Sequence, residues 1–361
     1  MTGHAPADWS AHVEPVPARM SGVRLMRYGG PEALEWSDDI PVPAALPGTA
    51  LVRVLAAGIN ATDINTRVGW YAREGAEGGG WAGAIELPRI QGSDLCGRVV
   101  ALGPGVSGPV PGARVICPTN QPLEDPRNPV AFRAIGSEFD GAFAQYCRVP
   151  ADQLYDVTAS PLSDTEIGAM PCAYGTALNL LTRAGVGAGE RVLVTGASGG
   201  VGLAAVKIAS RLGATVTGQC APAKAAAVRA AGAAEVIERD AAPPAAAFDA
   251  VIDVVGGPGW SAVIAALRPG GRYAVSGAAG GPVVQADLRA LYLGDITIFG
   301  CTFQPRAVFS RLAGMINEGA IRPLVSATYP LRDIARAQAD FTSDRFPGKL
   351  VLIPEADGTA P

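Results

Sequence analysis

Histidine is almost missing from this chain: of 361 residues only His4 and His12 carry an imidazole, and both sit in the first dozen positions. The body of the chain therefore has no imidazole to offer a metal. Cysteine is present six times (Cys96, Cys117, Cys147, Cys172, Cys220, Cys301), far apart and without a Cys-x-x-Cys pair. That usage excludes a disulfide or zinc framework and reads as reduced cytosolic thiols serving as small core residues. A basic excess is missing too: the formal charge is −4, which leaves no electrostatic footprint for nucleic acid or an anionic membrane surface. No stretch approaches the ~20 unbroken apolar residues of a membrane span. The N-terminal residues lack the basic start and apolar core of a signal peptide, so residues 1–20 are expected to be a disordered extension and the compartment the cytoplasm. What remains is 48% hydrophobic and 17% charged, a globular composition long enough for two domains with a core each.

The strongest positive signal is the run Arg191-Val-Leu-Val-Thr195, followed by glycines at 196, 199, 200 and 202 and then a helix-period pattern through Val201, Ala204, Ala205, Ile208, Ala209 and Leu212. Glycines let the turn bend sharply, approach a pyrophosphate and pack the helix on the strand. The helix N-terminus offers free N–H groups and a positive dipole end to the phosphates. Between a strand and a helix, with another strand at 214–219, the turn predicts dinucleotide binding through Gly196, Ser198, Gly199, Gly200, Val201 and Gly202.

Residues 22–150 read as short strands broken by Gly and Pro, the pattern of a small irregular barrel. A glycine-rich insert at 72–87 is expected to be a mobile loop. From about residue 150 the character changes. Ser163 with Glu166 signals a capped helix start, and a second helix follows Pro171. Strand and helix patterns then alternate: strand 191–195, helix 200–212, strand 214–219, helix 222–231, strands 235–237 and 248–254, helix 260–267, strands 272–276 and 296–300. Such alternation predicts a doubly wound parallel sheet. The strand 348–353 stands outside it and is expected to return to the first domain.

These segments resemble, over nearly all of residues 22–353, the medium-chain dehydrogenase/reductase superfamily, in its zinc-free quinone oxidoreductase and 2-enoyl thioester reductase branch. The resemblance is carried in order by Tyr28-Gly-Gly-Pro-Glu-Ala-Leu34, Ala57-Gly-Ile-Asn-Ala-Thr-Asp-Ile-Asn65, Gly92-Ser-Asp-Leu-Cys-Gly-Arg-Val-Val100, the glycine turn, and Gly348-Lys-Leu-Val-Leu352. It implies an α/β protein: a GroES-like β-barrel domain (21–152 and 322–361) plus a Rossmann doubly wound parallel sheet domain (153–321). It also implies a homodimer through the edge strand Ile296 to Phe299.

In the superfamily's alcohol dehydrogenases two thiolates and an imidazole hold zinc. Here those positions resemble Asn60, Ser93 and Cys172, and one ligand cannot hold a metal that needs three. Residues 118–146 also contain no cysteine for a structural zinc lobe. The resemblance therefore implies a zinc-free reductase, with Cys172 a small residue lining the site or, alternatively, a reactive thiol. The run Asn60-x-x-Asp63-Ile64-Asn65-x-x-x-Gly69-x-Tyr71 is similar to both branches. It makes Tyr71 the candidate proton or hydrogen-bond donor, unless it is a packed aromatic, and Asn60 a candidate amide toward substrate or nicotinamide. Asp63 and Asp94 read as structural acceptors of loop N–H groups. The resemblance further points to Thr176, Ser276, Gly277 and Phe303 around the nicotinamide.

For the adenosine ribose, the second strand ends Thr217-Gly218-Gln219-Cys220 with no acid, and Lys224, Arg239 and Arg345 match positions from which related reductases reach a 2′-phosphate. That combination predicts NADPH. The expected activity is zinc-independent, NADPH-dependent reduction of a quinone or another α,β-unsaturated carbonyl. The alternatives are a 2-enoyl thioester reductase in a biosynthetic pathway and a non-catalytic NADPH-binding protein. The expected partner is a small-molecule substrate, without nucleic acid or membrane.

Overall fold

The computed structural model describes residues 15–71, 81, 83 and 85–355. The extension through residue 14, the tail from 356, and positions 72–80, 82 and 84 of the glycine-rich insert lie outside them. The chain divides into two compact units, Met1–Pro171 with Ala313–Ser343 and Leu350–Pro361, and Cys172–Leu312 with Asp344–Lys349.

The first unit is built on antiparallel pairing. Its larger sheet runs through strands Tyr155–Asp156, Arg114–Ile116, Cys96–Leu102, Thr49–Gly58, Lys349–Ile353 and Val325–Pro330, with Tyr146–Pro150 also on Thr49–Gly58. Val351 and Leu352 pair with Gly58 and Ala57, so the C-terminal strand does return to this unit. A smaller sheet joins Leu34–Pro41, Arg19–Leu25 and Arg89–Ile90.

The second unit holds a six-stranded, all-parallel sheet in the order Glu235–Glu238, Thr215–Cys220, Arg191–Val194, Phe248–Asp253, Leu267–Val275, Thr297–Gly300. This is a Rossmann doubly wound order, whose direction reverses at Arg191–Val194, and ligands bind outside the carboxyl ends of strands at such a switch point. The buried runs Val192-Leu193-Val194 and Ala250-Val251-Ile252 are apolar because helices cover both faces. Leu193, Phe248, Trp260, Ile264 and Tyr273 form one core cluster there.

The boundaries differ from those expected at 152/153 and 321/322, and Arg114 shows why. Its guanidinium donates to the carbonyls of Val157, Ser160 and Leu162 and to Asp164, tying the segment after residue 153 to the first unit. Ser160 Oγ donates to the Ile316 carbonyl and Asn317 Nδ2 to that of Asp156, which holds residues 313–321 there as well. The Ser163–Glu166 capping box forms at the start of helix Asp164–Gly168. One further correction concerns the landmark 57–65, read as a loop: residues Ala61–Arg67 are a helix, entered through Asn60. Among the described residues no helix is long and apolar enough to cross a membrane.

Candidate functional site

In the second unit, the glycine turn leaves the end of Arg191–Val194 and enters helix Gly200–Arg211. Two of its glycines are demanded by the protein itself. Gly196 has φ +56°, and a Cβ on Gly202 would lie 2.1 Å from the Gly196 carbonyl oxygen. Gly199 is different: it is exposed, extended at φ −78°, and its Cβ would meet only the Gly196 oxygen at an ordinary 3.5 Å. Nothing among the described residues requires glycine there. No side chain caps this helix N-terminus. An open cradle beside an uncapped helix start fits a pyrophosphate. Ser198, buried, has its carbonyl accept the Gly348 N–H at 2.8 Å, so the segment 344–349 braces the turn.

A buried carboxylate that sequence reasoning overlooked fixes the strand ends around this turn. Asp253 accepts from the Thr195 hydroxyl, the Tyr273 hydroxyl and the N–H groups of Val255 and Gly256. Burial, reinforced by the Asp253 charge, pushes the Tyr273 hydroxyl well above the ordinary tyrosine range, so it stays a donor. An acid closing the apolar run Ala250-Val-Ile-Asp253 before a glycine pair was the available signal.

At the end of Thr215–Cys220 the structure gives three of the expected cofactor residues partners within the chain. Gln219 Nε2 donates to the carbonyls of Arg239 and Ala241 at 3.1 and 2.8 Å, so its amide protons are committed to backbone. Lys224 and Arg239 are both ion-paired to Asp344, an acid 120 residues from Lys224 that no sequence pattern flagged. Burial raises the Asp344 carboxyl, but hydrogen bonds and charge from Lys224 and Arg239 outweigh it and hold the group below the usual carboxylate range. Arg345 is exposed and stands over its neighbour Phe346, 5.7 Å from the ring centroid.

Thr176 lies buried on helix Pro171–Arg183, its hydroxyl 3.4 Å from Gln304 Nε2. Gln304 is 2% exposed, and its Oε1 has no hydrogen-bond partner among the described residues. A Cβ on Gly175 would lie 2.8 Å from that oxygen, so glycine there admits the amide. The Phe303 carbonyl, from the residue expected near the nicotinamide, already accepts Asn179 Nδ2 at 3.0 Å, while Asn179 Oδ1 has no partner among the described residues. Two buried amide oxygens without a partner among the described residues, on Gln304 and Asn179, suit a ligand that brings N–H donors, as a carboxamide does. Ser276 and Gly277 follow the strand Leu267–Val275, with the Ser276 N–H on the Asp253 carbonyl at 3.2 Å. A Cβ on Gly277 would press on the Val254 oxygen at 2.7 Å. Cys172 is buried, as are the other five cysteines.

In the first unit, Asn60 sits in a polar knot. Its Nδ2 donates to Asp94 Oδ2 at 2.9 Å and Ser93 Oγ at 3.0 Å. Asp63 accepts the backbone N–H of Asn60 at 2.8 Å and of Ser93 at 3.0 Å, locking the two loops together. The Asn60 amide donors thus already serve Asp94 and Ser93. An amide and a hydroxyl joined by a hydrogen bond are not zinc donors, so this pair does not fit the metal. Burial pushes the nearby Cys117 thiol up to about 12, so it stays protonated near neutral pH.

Tyr71, half-buried, donates its hydroxyl to Thr62 Oγ1 at 3.2 Å and lies 3.4 Å from Asn65 Nδ2. Its ring is stacked on Trp81 at 6.1 Å between centroids and 8° between planes. The ring is packed, and the hydroxyl is held by Thr62 and Asn65.

Comparison with known proteins gives two family matches, the first within the first unit and the second spanning parts of both. Residues 46–159 match the family described as Alcohol dehydrogenase GroES-like domain, and residues 231–352 the family described as Zinc-binding dehydrogenase. The chain is 30% identical to a quinone oxidoreductase of Rattus norvegicus, covering 92% of this chain and 98% of that one. It is 30% identical to an acryloyl-coenzyme A reductase of Metallosphaera sedula, covering 86% and 93%. A crystal structure from Sinorhizobium meliloti 1021, of a chain provisionally called an alcohol dehydrogenase, superposes with TM-score 0.89 at 40% identity over 96% and 99%.

Proposed function

Since the chain belongs to the medium-chain dehydrogenase/reductase superfamily, whose oxidoreductases use a nicotinamide cofactor, we propose that it is a zinc-independent, NADPH-dependent reductase of a conjugated carbonyl compound. The observation that carries the reading is the open Gly199 cradle at an uncapped helix start. Zinc independence is supported by the donor set: the Asn60 amide donates to the Ser93 hydroxyl and to Asp94. NADPH is favoured by the pair of cations, Lys224 and Arg239, beside the second strand's end.

The bound dinucleotide supplies hydride, and the chain supplies position and a proton. Gln304 and Asn179 accept N–H donors beside Thr176, the glycine turn and Ser198 hold the pyrophosphate, and Ser276 and Gly277 border the ribose. Tyr71 is the hydrogen-bond or proton donor to the substrate oxygen, its hydroxyl turning from Thr62 to the substrate while Asn65 Nδ2 donates to its oxygen. Losing such a donor costs about 10²- to 10⁴-fold in rate. Tyr71→Phe is therefore expected to lower kcat by at least about 100-fold with NADPH affinity unchanged, and unchanged turnover would remove the role.

The substrate class is tested by NADPH consumption with an ortho-quinone and with a trans-2-enoyl thioester, NADH in parallel. Quinone turnover is the expected result. Thioester turnover alone makes it an enoyl thioester reductase, a second reading favoured by likeness to the acryloyl-coenzyme A reductase. NADPH binding with neither reaction supports the non-catalytic reading.

A second copy of this chain is the proposed partner. Thr297–Gly300 is an edge strand with Ile298 exposed, and the preceding helix exposes Tyr292 and Leu293 at 64% and 73%. An unpaired edge flanked by apolar side chains invites pairing with its like. Sedimentation velocity is expected to give twice the chain mass for the wild type and a single-chain mass for Ile298→Lys. A monomeric wild type refutes it.

A further inference from the structure

A dinucleotide site of this topology reads the adenosine ribose at the end of its second strand, with an acid for a free 2′-hydroxyl or cations for a 2′-phosphate. Here both chemistries meet. Lys224 is 7% exposed, and a buried ammonium requires a counter-charge. Asp344 provides it and takes Arg239 with its other oxygen. Gln219 pins the Arg239 backbone through its 3.1 Å bond to that carbonyl, so the cation is held beside the strand end. Asp344 adopts φ +54°, a left-handed conformation that side-chain-bearing residues seldom take. Four residues on, Gly348 braces the phosphate turn through Ser198. One short segment therefore serves both ends of the dinucleotide cradle.

We infer that Asp344 is a stand-in for the 2′-phosphate of NADPH: it holds Lys224 and Arg239 in the free protein, yields them to the phosphate, and sets how far NADPH is favoured over NADH. The inference rests on the dinucleotide reading above. A phosphate monoester carries nearly two charges and three acceptor oxygens, against one charge and two oxygens for the carboxylate. It is the stronger partner for two cations. The released carboxylate is 56% exposed and can rehydrate, yet it remains a like charge beside the phosphate and reduces its affinity. NADH brings no anion to this position and leaves the three residues paired.

The test is the Kd of NADPH and of NADH, read from reduced-nicotinamide fluorescence with the full chain. It compares wild type, Asp344→Asn and Arg239→Gln, each checked for a wild-type thermal transition. Asp344→Asn is expected to tighten NADPH at least fivefold and leave NADH within twofold. Arg239→Gln, at a half-exposed side chain that folding tolerates, is expected to weaken NADPH several-fold and leave NADH unchanged. An Asp344→Asn protein that loses NADH affinity shows the acid reading a ribose hydroxyl instead, and the inference falls. It also falls if neither variant moves NADPH; should Asp344→Asn fail to fold, Arg239→Gln decides. A wild type that binds neither dinucleotide refutes the cofactor reading itself, a separate result.

Discussion

Gly199→Val is expected to weaken dinucleotide binding at least tenfold while leaving the fold intact. The position is exposed, its extended backbone accepts a β-branched residue, and an added Cβ makes only an ordinary 3.5 Å contact with the Gly196 oxygen. Its stability cost should therefore stay near that of an ordinary surface change, about 0.5 kcal/mol. The space a valine fills is the space a pyrophosphate needs, and tenfold corresponds to about 1.4 kcal/mol. Gly202→Ala supplies the contrast. Its Cβ would stand 2.1 Å from the Gly196 oxygen, so backbone must move and stability falls by about 3 kcal/mol. Fluorescence titration alongside thermal unfolding separates the two. Equal cofactor affinity in Gly199→Val and wild type would place the pyrophosphate elsewhere.

Asp63→Ala is expected to cost about 3–5 kcal/mol in urea unfolding, among the largest single-residue effects in the first unit. The carboxylate is 2% exposed and accepts the N–H groups of Asn60 and Ser93 with separate oxygens. Each N–H left unmatched in the interior costs about 1–3 kcal/mol, and the helix at Ala61 loses its reciprocal cap. Asp63→Asn should recover only part of this, because one acceptor becomes a donor facing a donor. Loss below 1 kcal/mol in both variants would mean that water reaches these groups.

Much of the first unit's chemistry was legible as residue types and hidden as partnerships. Asn60 and Ser93 were visible as poor metal donors, but that Asn60 bonds to Ser93 and to Asp94 follows only from bringing together loops 33 and 34 residues apart. Reading 57–65 as a loop missed the helix Ala61–Arg67, because its cap acid, Asp63, was assigned to the loop alone. In the second unit the alternation of strand and helix was strong enough to locate the sheet, since buried parallel strands must be apolar on both faces. Domain limits were less legible: Arg114 binds the 157–164 segment through carbonyls, which every residue carries alike.

By itself the sequence determined the periodicities, and with them the doubly wound sheet, the glycine turn at its switch point and the superfamily. Those features depend on residues near one another along the chain, where backbone geometry couples directly to residue type. Only the tertiary structure decided which charges meet. Asp344 lies more than a hundred residues from both Lys224 and Arg239, and nothing local marks it as their counter-ion. The same holds for the unmatched Gln304 oxygen: whether a buried amide is satisfied depends on every chain segment around it, and no spacing in the sequence encodes that sum.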